Sequence, residues 1–445
     1  GTVAVHSDVD SESMHVRLAD ESVCIGSHQP QNSYLNISAL MSAVDLTGAE
    51  AIHPGYGFLS ENSKFADIVT KHGIKFIGPS SKLIGEMGDK IQAKKIAKKN
   101  GLPVIEGSDG SVNSFEEAKS LCKEIGYPIL IKAAAGGGGK GMKIVEHESR
   151  LSELFSLAKN EAKKYFGNDE LYIEKYFKHP RHIEVQILAD QQGNIVHLHE
   201  RDCSVQLRNQ KVLEIAPSMG LDESLRQRLL ADAVKLCQGA EYINAGTVEF
   251  ILGSDGKFFF LEMNTRLQVE HPVTEMVVGI DLVAEQIKIA SGLGLSFKQS
   301  DLKQTGHAIE VRICAERPEK DYQPATGRIG IMHLPKGEGV RFDGGIREGQ
   351  AVTPAFDSML AKLICYSATR ENSVSKMDKA LSDFILLGVP TNIDFLGCIM
   401  KNDVFKSGKL NTGFLVDHSK DLMLSRLTFA AIFITLFSIC KSKGE

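Results

Sequence analysis

Three oxygen-bearing side chains, Glu249, Glu262 and Asn264, sit on two short apolar-rich stretches separated by Gly253-Ser254-Asp255-Gly256, and Arg266 and Glu270 follow closely. The spacing predicts a hairpin in which Thr247 to Leu252 pairs with Lys257 to Met263. Pairing Gly253 with Gly256 sets Glu249 opposite Phe260. Strand alternation assigns Glu249, Glu262 and Asn264 to one face and Val248, Phe250, Phe259, Leu261 and Met263 to the other. With the apolar face anchored in a core, the three oxygen groups would be held where a hard cation such as Mg²⁺, or Mn²⁺, binds protein and phosphate oxygens together. An amphipathic hairpin with a solvated acidic face has the same pattern, so the residues that accompany it decide between the two.

The first of these is a glycine run. Lys132-Ala133-Ala134-Ala135-Gly136-Gly137-Gly138-Gly139-Lys140-Gly141-Met142 follows the β-branched stretch Tyr127 to Ile131 and precedes a second strand-like stretch, Lys143 to Val145. Consecutive glycines let backbone amides close over phosphates. No Gly-Lys-Ser/Thr ends the run and no helix follows it, which excludes a Walker A loop and the dinucleotide fingerprint of the Rossmann fold. Strand, glycine lid and strand point to another kind of nucleotide site.

The elements that must position these residues divide the 445-residue chain, too long for one core, into several parts. From Gly1 to Pro79, short strands (Val3 to His6, Ala51 to His53, Lys75 to Ile77) alternate with helical stretches at Ile37 to Leu46 and Asn62 to His72, a parallel α/β pattern. A lysine-rich helix, Met87 to Asn100, leads into the Gly101-Leu102-Pro103 boundary. The expected division is 1–86, an N-terminal α/β domain; 87–176, a small lobe carrying the glycine run; 177–421, a larger mixed sheet; and 422–445, an apolar tail. Lys+Arg total 51 against 56 Asp+Glu, with the basic residues dispersed, which argues against a nucleic-acid partner. The eight cysteines form no Cys-x-x-Cys pair, as expected of a reducing compartment. His197, His199 and Cys203 read as a polar strand face in preference to a metal site. Leu427 to Cys440 is apolar but shorter than the ~20 residues a membrane helix needs, so a membrane span is not expected.

The order of Lys90, Lys132 with its glycine run, Glu174-Lys175-Tyr176, Glu249, Glu262 and Asn264 resembles the ATP-grasp ligases. His53-Pro54-Gly55-Tyr56-Gly57-Phe58-Leu59-Ser60-Glu61-Asn62, Glu200-Arg201-Asp202-Cys203-Ser204-Val205-Gln206 and Glu262-Met263-Asn264-Thr265-Arg266-Leu267-Gln268-Val269-Glu270-His271-Pro272 resemble the biotin carboxylase component of biotin-dependent carboxylases. The resemblance implies an α/β ATP-grasp fold with a Rossmann-like domain before it and a mixed α+β domain after it. It also implies ATP, Mg²⁺ (or Mn²⁺) and biotin on a separate carrier, with carrier-protein and carboxyltransferase partners and a homodimer. A cytoplasmic location is expected, or a mitochondrial or plastid one in a eukaryote.

By the same resemblance Lys90, Lys132 and the lid glycines Gly136, Gly137, Gly138, Gly139 and Gly141 would bind ATP phosphates. Glu174 and Lys175 would hydrogen-bond adenine, with His182, Gln206 and Asn209 near the nucleotide. Glu249, Glu262 and Asn264 would hold the metal. Arg266, with the backbone of Gln268 and Val269, would bind bicarbonate, Glu270 would take its proton, and Lys211 would supply positive charge. Arg312 would stabilise the enolate-like oxygen of biotin beside Tyr56. Against the family pattern, Asn209 stands where many members have histidine, Leu207 replaces a common arginine, and the strand and helix that normally open the family are expected to be absent before Gly1. A nucleotide-binding but inactive subunit is the competing expectation, and a ligase acting on an amino acid is disfavoured by Arg266 and Glu270.

Overall fold

The computed structural model describes residues 1–133, 142–167 and 169–422. Near the amino end, β1 (Val3–Ser7) pairs in parallel with β2 (Glu21–Gly26), and β3 (Ala51–Ile52) pairs in parallel with β4 (Lys75–Phe76). The helices between them start where the sequence offers a cap: Asn36 accepts from the Ala39 amide at 3.1 Å and Asn62 from the Phe65 amide at 2.8 Å. Leu59, Phe65 and Val69 close a small core there, with Ile52 and Phe76 against it.

The lysine-rich helix, expected from Met87 to Asn100, runs Lys90–Lys99, and Met87 belongs to a separate preceding helix, Ser81–Gly88. Asp89 separates the two: its Oδ1 accepts from the Ile91 and Gln92 amides, both at 2.9 Å, and so begins a new helix with Lys90 as its first residue. The small lobe is a three-stranded antiparallel sheet in which β5 (Ile129–Ala133) lies between β6 (Met142–Val145) and β7 (Leu171–Lys175). Helices Phe115–Ile125 and Leu151–Phe166 cover it through a core that includes Ala118, Cys122, Ile131, Phe155 and Ile173.

An eight-stranded antiparallel sheet organises the rest. Its order is β12 (Phe258–Asn264), β11 (Asn244–Leu252), β8 (Arg181–Ala189), β9 (Ile195–Leu207), β10 (Gln210–Ala216), β13 (His307–Cys314), then Met359–Ser367 and Val340–Gly344. β9 and β10 join through Arg208 and Asn209, both at positive φ (52° and 64°), a two-residue turn whose twist suits a hairpin. At the β8–β11–β12 end, helix Glu223–Gly239 buries Leu229, Leu230 and Leu236 against Ile183, Val185, Val248 and Phe250. At the other end, Leu213, Ile309, Val311 and Leu363 pack on helices Arg370–Asp383 and Ile393–Lys401.

The β11–β12 hairpin differs from its expected register. Glu249 faces Glu262, not Phe260, and a bulge between Glu249 and Phe250 lets Phe250 face Phe260. Phe258, Phe260 and Met263 therefore reach the core, whereas Phe259 stacks on Phe177 with ring centroids 5.0 Å apart and Leu261 is half-buried. Simple alternation failed because a bulge inserts one unpaired residue and reverses the facing of everything beyond it. Among the described residues no helix is long and apolar enough to cross a membrane, and the Leu427 to Cys440 run lies outside them.

Candidate functional site

Neighbouring strands bring a row of charges into line across four strands. Arg201 on β9 is paired with Glu184 on β8, Glu184 with Glu249 on β11, and Glu249 with Glu262 on β12. Like charges directly opposite on a sheet repel, so such a row needs cations. Arg201, fully buried, supplies one: Nε donates to Glu184 at 2.5 Å, and its other nitrogens donate to Gln186 at 2.7 Å, Thr274 at 3.0 Å and Thr247 at 3.2 Å. Lys211 on β10 supplies the second, donating to Glu184 at 2.6 Å, Glu249 at 2.9 Å and Glu270 at 2.6 Å. Burial alone would strip its proton, but Glu184, Glu249 and Glu270 hold its ammonium charged well above the usual lysine range.

Glu249 also accepts from Asn264 Nδ2 at 2.8 Å and Gln268 Nε2 at 2.9 Å, and His182 Nε2 lies 2.9 Å from its other oxygen. Gln206 Nε2 approaches His182 Nδ1 at 2.9 Å. Burial opposes ionisation of Glu249, yet Lys211 and His182 outweigh it and keep the carboxylate far below its ordinary range. Glu262 has weaker support. Burial and then Glu249 raise its pKa against the more distant charges of Lys90, His182 and Lys211, and no ion pair of the described residues reaches it. The acidic end of the row thus lacks a positive partner, and its oxygen-only donor set of Glu249, Glu262 and Asn264 fits a hard divalent cation that would discharge that repulsion.

Glu270 stands immediately before the helix His271–Val278, makes no capping hydrogen bond with its side chain, and is fully buried. Besides Lys211 it accepts from Arg312 at 3.0 Å, while Arg312 Nε donates to Glu214 at 2.7 Å. Arg312 pairs with Glu214 and Glu270 and not with Glu310 or Glu316. Burial would raise the Glu270 pKa, but Lys211, Arg312 and Arg201 hold it well below the usual carboxylate range. Arg266 donates to Glu61 at 2.9 Å, Asn264 at 3.2 Å and the Gln268 side chain at 3.2 Å, and Glu61 also accepts from the Thr265 amide at 3.1 Å. The Val269 carbonyl accepts from Lys362 at 2.8 Å. Tyr56, on the loop that carries Glu61, has its pKa raised by burial and then by the charge of Glu310, against Arg312. Glu270, Arg312, Lys211, Arg266, Gln268, Glu249 and Asn264 thus form one connected network.

The remaining candidates gather around the small lobe. Lys132 is ion-paired with Glu174, and Lys175 donates to the backbone carbonyls of Gly126 at 3.1 Å and Tyr127 at 3.2 Å. Lys94, which sequence reasoning passed over, hydrogen-bonds Tyr172, and burial lowers its pKa to about 8 against the pull of Glu174. Gly136 to Gly141 lie outside the described residues. Glu184, Glu61 and Glu214 were also missed. Period-two alternation from His182 would have found Glu184, while Glu61 and Glu214 carry no local signal beyond their charge. His197 and His199 lie edge to face, with burial lowering His197 to about 4, and Cys203 sits instead beside Glu184 and Glu270.

Three family models match the chain: the biotin carboxylase N-terminal domain over 1–84, the carbamoyl-phosphate synthase L chain ATP-binding domain over 89–298, and the biotin carboxylase C-terminal domain over 310–417. The match to the N-terminal domain takes in residues 1–84, and the expected loss of an opening strand and helix is not borne out by it. The biotin carboxylase of Haemophilus influenzae is 50% identical over 415 residues, 93% of this chain and 92% of that protein. The chloroplastic biotin carboxylase of Arabidopsis thaliana is 48% identical over 94% of this chain and 78% of its own. Among solved structures, the biotin carboxylase domain dimer of the Hydrogenobacter thermophilus 2-oxoglutarate carboxylase, in complex with MgADP, ADP and bicarbonate, superposes with a TM-score of 0.91 at 45% identity, covering 94% of this chain and 92% of that one. The Campylobacter jejuni biotin carboxylase in a β,γ-ATP complex gives 0.91 at 44%, covering 94% and 93%.

Proposed function

The chain belongs to the biotin carboxylases, and from that membership we propose how its residues divide the reaction. The activity is ATP- and bicarbonate-dependent carboxylation of biotin, with ATP and Mg²⁺ required and the biotin held on a separate carrier. ATP first phosphorylates bicarbonate to carboxyphosphate with release of ADP; carboxyphosphate then breaks into CO2 and phosphate, and the ureido nitrogen of biotin bonds to CO2 as its proton passes to that phosphate.

In the first half, Arg266 and the backbone of Gln268 and Val269 bind bicarbonate, a planar oxyanion suited to a guanidinium fork. Glu270 takes the bicarbonate proton. Its burial with Lys211 and Arg312 supports this role by keeping it anionic, and the same cations weaken it as a base, so Arg266 must acidify the substrate at the same time. Glu249, Glu262 and Asn264 hold Mg²⁺, which when bound neutralises charge on the phosphates. Lys90 and Lys132, with Gly136, Gly137, Gly138, Gly139 and Gly141, hold those phosphates. Glu174 and Lys175 receive the adenine, with His182, Gln206 and Asn209 nearby. In the second half, Arg312 stabilises the biotin oxygen and Tyr56 lines that pocket.

The observation that carries this division is the contact of Arg312 and Lys211 with a single buried carboxylate, Glu270. Glu270→Gln is expected to lower bicarbonate-dependent ATP cleavage by about 10²- to 10⁴-fold, the scale of a lost general base. Arg312→Gln is expected to lower carboxybiotin formation by roughly 10²- to 10³-fold and cleavage without biotin much less. Equal loss of ADP and carboxybiotin in Arg312→Gln would move that residue to nucleotide binding or folding. For the assembly, the reading includes a homodimer, a biotin carrier protein and a carboxyltransferase, and a cytoplasmic or organellar compartment. For the domains it keeps 1–86, 87–176 and 177–421, with 422–445 as a tail.

A further inference from the structure

Glu214 and Glu310 are directly opposed on β10 and β13, and both are fully buried. Their face of the sheet also carries Arg312, two residues after Glu310, and Lys362, which stands opposite Arg312. The two cations are unevenly shared. Arg312 donates to Glu214 at 2.7 Å and to Glu270 at 3.0 Å, while Lys362 turns away to the Val269 carbonyl at 2.8 Å and lies 3.8 Å from Asp343. Both oxygens of Glu310, and one of Glu214, have no hydrogen-bond partner among the described residues. A pair of carboxylates buried this way cannot both ionise cheaply, and one proton between them relieves the repulsion. Burial raises Glu214 to about 7, against Arg312, and holds Glu310 well above the ordinary carboxylate range, against Lys362.

We propose that Glu214 and Glu310 are positioning residues for carboxyl transfer, a proton-sharing pair that holds the Arg312 guanidinium between Glu214 and Glu270 with one edge turned to biotin. The inference rests on the role given to Arg312 above. With a single proton in the pair, Glu214 is an anion that braces Arg312. When that proton leaves, Glu310 becomes a second anion that competes for Arg312 and draws it from Glu270. The charged or titratable groups facing the pair are Arg312, Lys362, Glu270, Lys211 and Tyr56, with Asp343 beyond Lys362.

The test measures ADP and carboxybiotin in parallel from pH 6 to 9 for the native chain, Glu214→Gln, Glu310→Gln and Arg312→Gln. Glu214→Gln is expected to lower carboxybiotin formation by about 10- to 100-fold, the usual scale for a residue that orients an active group, and bicarbonate-dependent ATP cleavage by much less. Above about pH 7, where Glu214 has ionised, the ratio of carboxybiotin to ADP should fall toward alkaline pH in the native chain and stay level in Glu310→Gln, whose amide cannot ionise. Equal loss of both products in Glu214→Gln, or the same alkaline fall in Glu310→Gln, overturns the proposal. If Arg312→Gln itself fails to separate the two products, the role of Arg312 is wrong; if it separates them and Glu214→Gln does not, only the positioning pair is.

Discussion

Lys211 illustrates how little a residue's own type says about its work. In the sequence it is one lysine among many, and its charge is recognised only through the family resemblance; in the fold it binds Glu184, Glu249 and Glu270 at once. The three-way contact requires three strands and a helix terminus to meet, and no local pattern encodes that. Glu249, Glu262 and Asn264 were legible because period-two alternation survives approximately within one hairpin. Their separate electrostatic fates were not, since these depend on which carboxylate the cations reach. Glu262 is the one left over. Glu262→Gln is therefore expected to raise the Mg²⁺ concentration for half-maximal turnover by at least about tenfold while leaving the melting temperature near that of the native chain. Turnover at limiting Mg²⁺ that matches the native chain would sink the metal assignment.

At the scale of elements, Arg201 ties the sheet together: from β9 it reaches β8 through Glu184 and Gln186, β11 through Thr247, and the helix His271–Val278 through Thr274. Removing one partner of a buried ion pair leaves the other charge unsolvated, a loss of about 3–5 kcal/mol. Arg201→Met should show it as a lower urea midpoint with an unchanged slope, whereas a loss under 1 kcal/mol would mean that Glu184 finds Lys211 sufficient. The elements of the opening segment and the strand pair around the glycine run were readable from periodicity, caps and turns, whereas the large sheet was read only as a mixed sheet containing one hairpin. Two were misread for physical reasons. Asp89 offers a capping carboxylate inside a lysine-rich helix, and the bulge after Glu249 shifts the hairpin; each is a single-residue event within an otherwise regular pattern.

Across the whole molecule, burial of neutral imidazoles makes stability depend on pH. His271 donates from Nδ1 to the Gln268 carbonyl at 2.8 Å, and burial lowers its pKa to about 3. The unfolded chain takes up a proton near the ordinary histidine range, about 6.5, while the native chain does not, so stability is lost as pH falls below that value and the loss levels off near pH 3. From pH 6.5 to 4.5 the contribution is about 2 kcal/mol, and a His271→Asn variant should lose less stability than the native chain over that interval in matched urea titrations. An equal loss would show that the imidazole is not buried neutral. Long-range joins of this kind were the least legible part of the sequence, and the join between the opening segment and the large sheet is the clearest example. Glu61 reaches across 205 positions to hold the Arg266 side chain and 204 to hold the Thr265 amide, and His53 meets Gln286 at 3.1 Å. A molecule in which the large sheet has formed but the opening segment has not yet docked has Arg266 without its Glu61 anchor, so the bicarbonate-binding role proposed for Arg266 makes turnover wait for that docking. Activity regained on refolding should then lag the return of sheet signal.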